Sequence, residues 1–144
     1  MDRLETVLPE LAARRVASSA VQQRRCSTAA AEWAIRLVGV DNDFVRSALV
    51  LLSNGADSDV NLGDLARLVE ELDEQAWSVQ DAVEEGGAAP EDYLAAFGRA
   101  RAVAAVYFAA HADPKSAALG AVYEASAVIP NPISLFVAIE SVLT

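Results

Sequence analysis

The stretch that most constrains the fold is Tyr93 to Ala112, twenty residues in which Arg99 and Arg101 are the only full charges and nine positions are alanine. A helix that is apolar on nearly every side is stable in water only when other helices wrap it. The pattern therefore predicts a central helix over about 90–112. Its length also matches a bilayer span. Alanine adds little to insertion, however, and each arginine near the middle would cost about 2.5–3.5 kcal/mol there. A buried soluble helix is the expectation, with no membrane segment. At about 3.6 residues per turn, Phe97, Ala104 and Phe108 share a face with Leu94 and Arg101, while Arg99 points about 160° away. One arginine should thus lie nearer the core than the other. Gly98, inside the helix, costs about 1 kcal/mol relative to alanine, and its expected use is the close approach of a neighbouring helix.

Punctuation along the rest of the chain fits an all-α fold, a single-domain bundle of about six to seven helices over residues 1–144. Residues 2–8 read as a short lead-in. From Pro9, acceptable in a first turn, to about Arg25 runs an amphipathic pattern with Leu11, Val16, Ala20 and Val21 inward and Arg14, Arg15, Gln22 and Arg25 outward. Ser27 or Thr28 offers an N-cap for a helix through Trp33, Leu37 and Val38 that ends at Gly39. No strong breaker precedes it, so continuation of the previous helix is the alternative. Asp41, Asn42 and Asp43 supply the next cap, and Phe44 to Ser53 form an apolar helix stopped by Asn54-Gly55.

The cleanest periodicity follows. Leu62, Leu65, Val69, Leu72, Ala76, Val79 and Val83 alternate at spacings of three and four, with Asn61 as cap and Gly86-Gly87 as stop. This predicts a helix over about 62–85 with one narrow seam, and a homodimer through that seam is one use for it. Its other faces carry Asp64, Glu70, Glu71, Asp73, Glu74, Asp81, Glu84 and Glu85. Pro90 opens the central helix. Asp113-Pro114 begins another, marked by Leu119, Val122, Tyr123 and Val128. Asn131-Pro132 caps a last helix containing Ile133, Phe136, Val137 and Val142, almost wholly apolar and expected to dock. No strand-like alternation competes.

At 144 residues the chain is long enough to bury a core without disulfides. Cys26 stands alone, which fits a reducing compartment. Met1-Asp2-Arg3-Leu4-Glu5 lacks the basic start and apolar run of a secretory signal, so a cytoplasmic protein is expected. Arginine outnumbers lysine ten to one and alanine supplies 30 residues, a usage that fits a GC-rich bacterial genome. The net charge of −10 is concentrated: residues 47–92 hold one Arg against twelve acids, whereas 1–46 hold seven Arg against six acids. Such a surface repels phosphate backbones and attracts a basic one. No nucleic-acid partner is expected.

Three places offer chemistry. Asp57-Ser58-Asp59-Val60-Asn61 begins like a calcium loop, but its sixth position is Leu62 rather than glycine and its twelfth is Leu68 rather than glutamate. A polar loop ending in the Asn61 cap is the better reading. His111, the single histidine, follows Tyr107 by one turn. It suits either proton transfer or a structural place at a helix C-terminus. One His and one Cys give no paired-ligand spacing for zinc, and no phosphate loop, nucleophile elbow or dinucleotide fingerprint occurs. No metal or cofactor is expected.

The third place is the acidic helix. Trp77 lies one residue off the seam, in line with Glu70 and Glu84 and within a turn of Asp73, Glu74 and Asp81. A tryptophan ringed by carboxylates anchors arginine or lysine well. The competing readings are a plain solvated face, or pairing within the chain to Arg14, Arg15, Arg24 and Arg25. The favoured expectation is a helical accessory protein that binds a basic partner through Glu70, Glu74, Trp77 and Asp81. The alternative is a metal-free enzyme or small-molecule binder using Arg101, Tyr107 and His111, which requires a cavity of a few hundred Å³ reaching all three.

Overall fold

The computed structural model describes residues 19–143, the last by its backbone alone. Among them are six α-helices and one 3-10 turn: α1 (Ala20–Val38), α2 (Asp43–Ser53), the 3-10 turn (Asp57–Asp59), α3 (Leu62–Glu84), α4 (Pro90–Ala109), α5 (Pro114–Ser126) and α6 (Ile133–Leu143). Arg14, Arg15, the lead-in at 2–8 and the start of the helix expected from Pro9 lie outside the described residues.

The starts of α1, α2, α3 and α5 follow from a local hydrogen-bonding need. The first backbone N–H groups of a helix have no partner within it, and short polar side chains accept from them. Asn42 accepts from the Val45 N–H at 3.0 Å, Asn61 from Asp64 at 3.1 Å and Asp113 from Ser116 at 2.9 Å. The bonds from Ser116 hold the Asp113 carboxyl below its ordinary pKa. At the other ends Gly39, Gly55 and Gly86 take positive φ and turn the chain out of α1, α2 and α3.

Two expectations about α1 are corrected. The helix begins at Ser19, whose hydroxyl accepts from Gln22 N–H while the Gln22 side chain accepts from Ser19 N–H. Ser27 is therefore not a cap but sits fully buried within the helix, bonded to the Arg24 carbonyl at 2.9 Å. Nor do Ala20 and Val21 face inward: Val21 is 61% exposed. The buried face is Gln23, Cys26, Ser27, Ala30, Ala31, Ala34 and Ile35, because small side chains let α4 and α5 approach closely.

The core forms around α4, which contacts α1, α3 and α5. From Ala100 to Val106 every residue but Arg101 is buried, as a helix apolar on all sides requires. The helix stops at Ala109, three residues short of the expected end. Arg24 of α1 meets this end: its guanidinium donates to the carbonyl of Ala109, which the helix end leaves free, and to that of Ala112 in the turn beyond. A cation there also complements the helix dipole.

Close approach is divided between two glycines. Gly98 lies against Val38 and Val128 as expected, and a Cβ there would fall 3.4 Å from the Val128 carbonyl oxygen. Gly120 of α5 is tighter, because a Cβ would fall 2.6 Å from the Phe108 ring. The last helix docks through Leu135 and Ile139, both fully buried, and contacts α1. Ile133 and Val137, expected to be docked with it, are exposed instead. Trp33 steadies this contact with an indole N–H bond of 3.0 Å to Ser134.

Candidate partner-binding surface

The Asn61 cap sets where α3 begins, and its sequence period does the rest. Leu65 and Ala76 are buried, and Leu62, Val69 and Leu72 are packed against the core. The partner of α3 in the bundle is α4. The seam from Leu62 to Ala76 is thus occupied within the chain. With the seam turned inward, Glu70, Glu74, Trp77 and Asp81 recur at spacings of four, three and four on another side of the helix. All four are exposed, Trp77 by 64%. The stripe spans about 16 Å at the usual rise per residue.

Its charge is not neutralised from within the described residues. The acids that do pair there include Asp57 with Arg24 at 3.3 Å, Asp64 with Arg67 at 3.0 Å and Asp73 with Arg101 at 2.8 Å. Glu70, Glu74 and Asp81 form no such bridge. Arg24, one candidate neutraliser, is engaged by Asp57 and by the end of α4. Among the described residues, the stripe therefore offers three carboxylates without an ion pair around one indole. A guanidinium fits both, through bidentate bonds to carboxylate and stacking on the ring.

Asp73 departs from expectation. It does not join the free face but receives the Arg101 guanidinium on both oxygens, at 2.8 and 2.9 Å. Arg101 also donates to Glu124 of α5 at 2.8 Å and lies 5.6 Å from the centre of the Phe97 ring. Its side chain is only 18% exposed. Burial pushes its pKa down, but the charges of Glu124 and Asp73 and their hydrogen bonds outweigh that and hold it above the ordinary value. The sequence signalled that one of the two central arginines would lie inward. It did not name the acids, because they come from helices distant in the chain.

Arg101, Tyr107 and His111 are not assembled into one site. Tyr107 and His111 meet edge to face with ring centres 4.8 Å apart, and Phe108 meets the same imidazole at 5.2 Å. Arg101 sits about 120° around the helix from Tyr107, bound to its two acids. None of the five principal clefts among the described residues is bordered by any of the three. In the loop before α3, Asp57 faces Arg24 and the Asn61 amide oxygen faces Asp64 N–H. No helix among the described residues is long and apolar enough to cross a membrane. No protein-family model, curated protein or solved structure matches the chain.

Proposed function

We propose that this chain is a small cytoplasmic accessory protein of bacterial type that presents the outer face of α3 to a partner with a basic surface. The observation that carries the reading is the stripe of Glu70, Glu74 and Asp81 around the exposed Trp77, without an ion pair to any described residue. An aromatic residue with its apolar body in water beside free carboxylates makes an energetic anchor for arginine. The lone, buried Cys26 is in keeping with a reducing compartment. Self-association through the α3 seam is not part of the reading, since Leu62, Leu65, Val69 and Leu72 of that seam pack on the core of the same chain.

The test begins with affinity capture from the native host and continues with calorimetry on the purified partner. Replacing Glu70 and Glu74 by Gln and Asp81 by Asn is expected to weaken binding at least about tenfold, and Trp77→Ala to do the same. Affinity should also fall as salt rises, because exposed charges are screened. A partner that binds the triple variant and the parent equally, with no salt dependence, would remove the proposal.

A further inference from the structure

At the end of the bundle where α1 stops and α5 passes into α6, a groove of about 730 Å³ opens between α1, α4 and the linker after α5. Its floor is the backbone of Gly98, held beside Val38 and Val128. Leu37 and Leu94 stand on its walls, 47% and 59% exposed, although both are large aliphatic side chains. The volume is within the usual range of a small-molecule site.

Among the described residues, one charged residue borders this groove, Arg99. None of the acids among the described residues lines it. Arg24, Arg46, Arg67 and Arg101 all hold carboxylates. Arg99 is half-buried and forms no ion pair with a described residue. It also borders the shallow cleft beside Glu71 and Glu74 but bridges to neither. A guanidinium at the edge of an apolar trough is complementary to a molecule with a carboxylate head and a hydrocarbon body. The carbonyl end of α5, at Ser126 and Ala127, forms another part of the wall. Its negative pole favours the uncharged end of such a molecule there and the head at Arg99.

We propose that this groove binds an amphipathic monocarboxylate of the acyl-chain class, with the chain over Gly98 between Leu37 and Leu94 and the head on Arg99. The groove shares no lining residue with the α3 stripe, although Arg99 at its edge also borders the cleft beside Glu74.

Decanoate titrated into the full chain and followed by amide NMR provides the test. Saturable binding is expected, with shifts concentrated at Leu37, Leu94, Gly98 and Val128 and none at the Trp77 indole. Arg99→Gln and, on the opposite wall, Leu37→Asp should each weaken it at least tenfold. Acetate, which has the head alone, and decyltrimethylammonium, which has the chain with a cation, should both bind at least tenfold more weakly. The parent protein alone decides the matter if a variant fails to fold. No saturation by decanoate, shifts centred elsewhere, or equal binding of the cationic amphiphile would overturn the proposal. General adsorption of an anion is opposed by the net charge of −10, so saturation at this one place is discriminating.

Discussion

Gly98 and Gly120 look alike in the sequence, each a glycine inside an alanine-rich helix, yet their surroundings give them opposite expectations. At Gly120 an added Cβ meets the Phe108 ring and its Cβ at 2.6 to 2.9 Å. The Phe108 Cβ is fixed to the α4 backbone, so the helices themselves would have to part. Gly120→Ala should therefore lower stability by about 1–3 kcal/mol, the usual cost of overfilling a packed contact. At Gly98 the nearest atom would be 3.4 Å away, close to ordinary contact. There the gain in helix propensity, about 1 kcal/mol, offsets the tightness, and Gly98→Ala should be neutral or stabilising. Urea denaturation of the two variants at matched slope checks this pair. Equal effects would show that packing does not separate them. Only Gly98 could be singled out in advance, because it lies in the stretch already read as central. The need for Gly120 arises from a ring on a different helix, which no local pattern displays.

Apart from the start of α1 and the end of α4, helix ends were readable at the scale of elements, and helix faces only where side chains differ enough in size and polarity. Caps act within four residues, so Asn42, Asn61, Asp113 and the glycines after α1, α2 and α3 declare the boundaries locally. The α3 seam was legible because leucine and valine alternate with acids. In α1 the buried face is made of small or polar residues, Ala30, Ala31 and Ala34 with Gln23, Cys26 and Ser27, beside the single large aliphatic Ile35, and hydropathy ranks such residues poorly. In α6 nearly every residue is apolar, so composition does not say that Leu135 and Ile139 are the docked pair. The elements are also tied by a contact invisible to periodicity: Arg101 of α4 holds Asp73 of α3 and Glu124 of α5. Removing the cation leaves Glu124, 12% exposed, without its counter-charge. Arg101→Met should destabilise by about 3 kcal/mol, the low end for breaking a buried pair. Arg101→Met combined with Glu124→Leu should recover at least half of that loss, since replacing both partners removes the stranded charge. Strict additivity in the double-mutant cycle would argue that the triad contributes little beyond its separate packing.

For the molecule as a whole, the uneven charge sets a conflict between the folded chain alone and the chain with a partner. Twelve of the 21 acids fall within residues 47–92, and α3 carries much of that excess on a side that no described helix covers. Like charges four residues apart, such as Glu70 and Glu74, each destabilise a helix by about 0.2–0.5 kcal/mol, and the total field opposes compaction. Salt should relieve this. Between about 0.01 M and 0.15 M the screening length falls from about 30 Å to about 8 Å, so the melting temperature of the free protein should rise over that range. The variant with Glu70 and Glu74 changed to Gln and Asp81 to Asn should start higher and respond less. Differential scanning calorimetry at both salt levels reads this directly. A melting temperature that falls with salt would mean that attractive pairs such as Arg101 with Asp73 and Glu124 outweigh the repulsion. The same screening that steadies the isolated chain should loosen a complex with a basic partner. Opposite signs for folding and for binding are therefore the joint signature of a helix whose charge serves recognition rather than its own stability.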